Sequence, residues 1–115
     1  MELKLQSPKI FVAHTSVDFR KGIDGLSEYV HSSYDCIPTD GIYVFYNKNK
    51  DKIKILFWHG NGFVLLQKRL ERNKFIMPLL EDKKEIDNKQ LSWLIAGLDW
   101  EQMNNWNQLT YNDYY

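Results

Sequence analysis

The chain reads as an α+β domain: an antiparallel β-meander sheet of four or five strands with two helices packed on one face. Three observations predict this. Between residues 42 and 77, short β-branched and aromatic runs alternate with polar turns, the pattern of successive hairpins. On either side of that stretch, apolar residues recur at helical spacing, at Phe19, Ile23, Leu26 and Val30 and again at Leu91, Leu94, Ile95 and Leu98. The 115 residues, 43% hydrophobic and 15% aromatic, are enough for one core and exclude a generally disordered chain.

The first element is a short strand, Lys9-Ile10-Phe11-Val12-Ala13. A helix follows, with Ser16 or Asp18 placed to accept hydrogen bonds from its first turn. Gly22 and Gly25 both weaken a helix. They imply either a close backbone crossing or a helix that starts only after Gly22. Residues 32–41, with Pro38, form a loop. Ile42-Tyr43-Val44-Phe45-Tyr46 is a strand, Asn47 to Asp51 a turn, and Lys52 to Trp58 a second strand. In that strand Ile53, Ile55 and Phe57 point one way and Lys54, Leu56 and Trp58 the other. Asn61-Gly62 supplies a hairpin signal, Phe63 to Leu70 returns, and Phe75-Ile76-Met77 closes the meander before Pro78. Residues 79–87 read as a charged loop. Asp87 and Gln90 resemble a capping box for the last helix, and Gly97 marks its stop. One domain is expected over residues 1–100, followed by an aromatic, Asn-rich tail over 101–115.

The composition bounds the function mostly by exclusion. No apolar run approaches the ~20 residues needed to cross a bilayer, and the start does not resemble a secretory signal, so a cytoplasmic protein without membrane contact is expected. The single cysteine, Cys36, excludes an internal disulfide. His14, His31 and His59 fall in different elements without metal-ligand spacing, and no phosphate-cradling glycine loop or nucleophile elbow is present. Asp18, Asp24, Asp51 and Asp99 are scattered, which does not suit two-metal phosphoryl transfer. No enzyme activity, metal or cofactor is expected.

Charge is uneven although the formal net charge is zero. Residues 42–78 carry eight basic and two acidic side chains, while residues 1–41 and 79–115 are net acidic by two and four. A basic block of this kind suits phosphate contact. From composition alone it better suits solvated strand edges, where lysine prevents aggregation. Tyr43, Tyr46 and Trp58 beside lysines would suit stacking on single-stranded bases, and are also ordinary β-formers.

Four blocks of residues carry a family resemblance. Val17-Asp18-Phe19-Arg20-Lys21-Gly22-Ile23-Asp24-Gly25-Leu26 comes first, and Val44 to Lys48 with Lys52 to Trp58 forms the second. Gly62-Phe63 and Lys68-Arg69-Leu70-Glu71-Arg72, then Phe75 and Pro78, form the third. Gln90-Leu91, Leu94 and Gly97-Leu98-Asp99-Trp100 close the series. In this order and spacing, over roughly residues 10–100, they resemble the insertion-sequence-66 accessory family, called TnpB or Orf2. Lys48, Lys50 and His59 depart from it, standing where arginine or an acidic residue is common. The resemblance implies a non-catalytic accessory to DNA transposition, working beside a separate transposase. Two readings follow from it. In one, Arg20, Lys21, Lys54, Lys68, Arg69 and Arg72 contact element DNA from one basic sheet face. In the other, the protein binds or stabilises the transposase without touching DNA. Arg20 could instead pair with Glu71 or an aspartate and tie the first helix to the sheet.

Overall fold

The computed structural model describes residues 9–34, 36–77 and 85–97. The tail over 101–115, together with Pro78, Leu98, Asp99 and Trp100, lies outside the described residues. Five strands and two helices follow in the order β1 (Ile10–Val12), α1 (Ile23–Tyr34), β2 (Ile42–Tyr46), β3 (Lys52–His59), β4 (Gly62–Arg69), β5 (Glu85–Ile86) and α2 (Asn88–Ala96). The sheet runs β4-β3-β2-β1-β5.

The meander β2-β3-β4 is antiparallel, as its short turns require. β1 pairs with β2 in parallel, Ile10 beside Ile42 and Val12 beside Val44. The sheet is therefore mixed. A parallel neighbour needs a crossover of a dozen or more residues, and α1 supplies it. The unbroken apolar run of β2 follows from this position. All five of its residues are buried, as expected of an inner strand covered on both faces.

That burial bears on where the helices sit. Phe45 and Lys54 are cross-strand partners and share a face. Tyr29 of α1 meets the Phe45 ring edge-on, with centroids 6.0 Å apart. Ile53 and Lys68 share the opposite face, and there Lys68 Nζ donates to Ile95 O at the end of α2, at 2.8 Å. The helices flank the sheet instead of sharing one face. The core spans both sides, with Leu26 and Val30 of α1 and Leu94 of α2 fully buried.

Several local expectations change. α1 starts at Ile23, after Gly22, so Phe19 stands ahead of the helix. Asp18 does not cap it: its carboxylate accepts instead from the Arg20 backbone N–H at 2.9 Å. At Gly25 the close neighbour is no crossing backbone but the Lys21 stem, 3.2 Å from where a Cβ would stand. The β3–β4 turn is Gly60-Asn61, because His59 pairs with Gly62. Gly60 takes φ +64° while Asn61 stays negative, the φ pattern of a turn with glycine at its first central position. Residues 75–77 form no strand; Phe75 is buried and its N–H donates to Lys50 O at 2.7 Å. The fifth strand is Glu85–Ile86, inside the segment expected to be a loop. The capping box at Asp87 and Gln90 is present in both directions, and Gly97 ends α2 at φ +75°.

Candidate nucleic-acid interface

The six basic residues expected to share a face are divided by the fold. Lys54 is 7% exposed. Its Nζ donates to Phe19 O and Lys21 O, each at 2.8 Å, and stands 4.8 Å from the Phe19 ring centroid. Burial pushes its pKa below the ordinary lysine value. Here the ammonium holds the segment ahead of α1 against β3. The apolar stem of Lys54 crosses the core face, and two carbonyls left without helical partners accept its protons.

Arg20 is fixed locally. Its guanidinium donates to both oxygens of Asp18, the shortest contact being 2.7 Å, with the arginine side chain 92% exposed. This hydrogen bonding lowers the Asp18 pKa to about 2. Glu71, the other candidate partner for Arg20, instead accepts from Arg69 at 2.9 Å. Neither pair ties α1 to the sheet. Both join residues two apart on exposed surface, where such pairs contribute little stability.

Lys68 lies on the α2 side, where its ammonium meets a carbonyl at the helix C-terminus, the end that favours positive charge. Arg72 is exposed in the turn after β4. This leaves Lys21 and Arg69, with Arg20 nearby, on the α1 side of the sheet.

One further residue joins that side. Lys52 pairs directly across the ladder with Arg69, and Lys54 pairs with Gln67 beside it. Residues 52 and 54 share a face, so Lys52 and Arg69 sit together at one end of the sheet, two residues along β3 from the Lys54 side chain that bonds the Lys21 carbonyl. Like charges directly opposite on neighbouring strands are unfavourable. Glu71 relieves this on the arginine through a direct ion pair, and the Asp51 carboxylate lies close enough to Lys52 to feel its charge. The signal for Lys52 was present in the sequence: a two-residue turn at Gly60-Asn61 fixes the register that sets Lys52 against Arg69. An Asn61-Gly62 central pair would set Lys52 against Glu71 instead.

The stacking platform is reduced to one aromatic. Tyr43 and Tyr46 are buried, and their hydroxyls donate to Ile37 O and His14 O at 3.1 and 3.0 Å. Trp58 is 42% exposed, meets Phe63 edge-on with centroids 5.0 Å apart, and donates from Nε1 to Gly60 O. No described helix is long and apolar enough to cross a membrane.

Together these features define a small mixed-sheet α+β domain with a basic pair at one end of the sheet. The family model described as IS66 Orf2 like protein matches residues 8–105, and the chain belongs to that family. It is thus a transposition-associated accessory protein, in a family not known for enzyme activity. Two proteins of Sinorhizobium fredii (strain NBRC 101917 / NGR234) are similar to it. The protein named y4jC is 39% identical over 97 residues, covering 83% of each chain. The one named y4hO is 32% identical over 97 residues, covering 83% of this chain and 84% of its own. No solved structure matches.

Proposed function

We propose that this protein contacts the DNA of its element as a non-catalytic accessory to a separate transposase, acting in the cytoplasm. The observation that carries the reading is the Lys52–Arg69 pair on one strand ladder, on the same face as Lys54, which bonds the main chain at Lys21. Repulsion between the paired cations is relieved when a phosphate sits between them. Arg20, next to Lys21 in the chain, adds a guanidinium partly neutralised by Asp18. Lys54 acts from beneath by fixing the Lys21 segment, and Lys68 serves α2.

An anisotropy titration tests this, using duplexes with the element's ends and a scrambled control at low and physiological salt. The expected result is salt-steep binding, with the log–log slope falling by roughly 0.9 for each phosphate contact removed. Changing Lys21, Lys52 and Arg69 together to alanine should abolish binding, whereas Lys68→Ala should retain it. No binding at low salt, or equal binding by the triple variant, would overturn the reading. Trp58 and the 60%-exposed Ile37 favour a second reading, contact with the transposase through apolar surface. Pull-down by the element's transposase that is lost in Trp58→Ala would support it.

A further inference from the structure

Among the described residues β4 has no neighbour on its outer side. Leu70 N–H donates to Asp51 O at 2.8 Å. Alternation along the antiparallel ladder therefore turns the main-chain groups of Gly62, Val64, Leu66 and Lys68 toward β3. Those of Phe63, Leu65, Gln67 and Arg69 point outward. The edge is eight residues long, and Phe63, Val64, Leu65 and Leu66 are only half-buried. A long apolar edge of this kind is a template for another strand.

We propose that β4 pairs with β4 of a second copy of this chain, antiparallel about a two-fold axis, joining two five-stranded sheets. The charge pattern admits a second copy in the antiparallel sense. Lys68 and Arg69 occupy one end of the strand, and residues 62–66, Gly-Phe-Val-Leu-Leu, carry no charge. A parallel copy would stack basic end on basic end. An antiparallel copy places each basic end against an uncharged one.

The same pattern fixes the register. Centring the axis on Leu66 sets Phe63 against Arg69, Leu65 against Gln67 and Val64 against Lys68. All four outward residues then lie in hydrogen-bonded pairs. Centring on Lys68 would oppose two lysines. Centring on Val64 would leave Gln67 and Arg69 outside the ladder. Opposed lysines thus count against one alignment and a shortened ladder against the other, while the Leu66-centred pair is a closed one that does not grow into an open array.

The test is the mass of the full, nucleic-acid-free chain by sedimentation or light scattering, from micromolar to near-millimolar concentration. The expected mass rises to twice that of the monomer. Gln67→Pro removes an outward N–H without breaking a bond to β3, so it should leave a folded monomer with an unchanged circular dichroism spectrum. If that variant fails to fold, Leu66→Cys with Cys36→Ser still decides. Non-bonded pairs bring Cα atoms to about 4.5 Å, within disulfide reach. Leu66→Cys should crosslink to a dimer on mild oxidation while Val64→Cys, which faces Lys68, should not. A monomer at every concentration would overturn the proposal. So would a dimer that survives Gln67→Pro, or one that Leu66→Cys does not capture.

Discussion

Replacing Lys54 by methionine removes the ammonium while keeping a buried apolar stem of similar length. The ammonium donates two bonds of 2.8 Å to main-chain carbonyls. Hydrogen bonds to charged groups contribute about 1.5–3 kcal/mol each, and the approach to Phe19 adds about 0.5–1 kcal/mol. Opposing this, the charged form is desolvated at a residue only 7% exposed, which is why its pKa falls. The Lys21 carbonyl lies in an exposed stretch and can turn to water once released. The net expected loss is about 2 kcal/mol, or about 8–10 °C in Tm for a domain of this size. Urea unfolding followed by circular dichroism measures it, and the m-value should be unchanged if the fold is retained. A loss under about 0.5 kcal/mol, the range of ordinary surface substitutions, would refute the assignment of Lys54 as the residue that holds the segment before α1. If the proposed interface is right, the same variant also weakens DNA binding, because Lys21 loses its fixed position.

Asp18→Asn frees the Arg20 guanidinium and should tighten DNA binding with a steeper salt slope, read by the same anisotropy titration. The Asp18 carboxyl is held near a pKa of about 2 by its bond to Arg20. The stabilisation from this pair is present above the ordinary value of 3.8 and is lost as pH falls toward 2, so acid unfolding in that window should change in Asp18→Asn. Burial raises the hydroxyl pKa values of Tyr34 and Tyr43 to about 12. The fold favours their neutral forms, so stability from both is complete below pH 10 and is lost as pH rises from 10 to 12. Tyrosinate absorbance and circular dichroism, recorded together, should change in step over that range. Asp87→Ala removes one half of the capping box of α2 and should cost about 1 kcal/mol by thermal melting. Gly97→Ala should cost about 1–2 kcal/mol through its left-handed backbone, with only ordinary contact from Leu70, 3.4 Å from the new Cβ.

The sequence by itself determined what depends on near neighbours in the chain. The meander β2-β3-β4 was readable from alternation and polar turns, and α2 from its stripe, its Asp87–Gln90 box and Gly97. The order of the four motif blocks was enough to identify the family. Tertiary structure decided what depends on distant pairing. β1 carries nothing local that chooses a parallel partner; β2 receives it because α1 returns the chain to the same end of the sheet. β5 has two residues and exists only through its pairing to β1. The basic residues were legible as a list but not as a surface. Alternation puts Lys68 and Arg69 on opposite faces, and burial turns Lys54 inward to two carbonyls that no local pattern encodes. Lys52 entered the site only once the ladder set it against Arg69. A side chain's type can be read from the chain, whereas its neighbours across a sheet are fixed by register and by what covers each face.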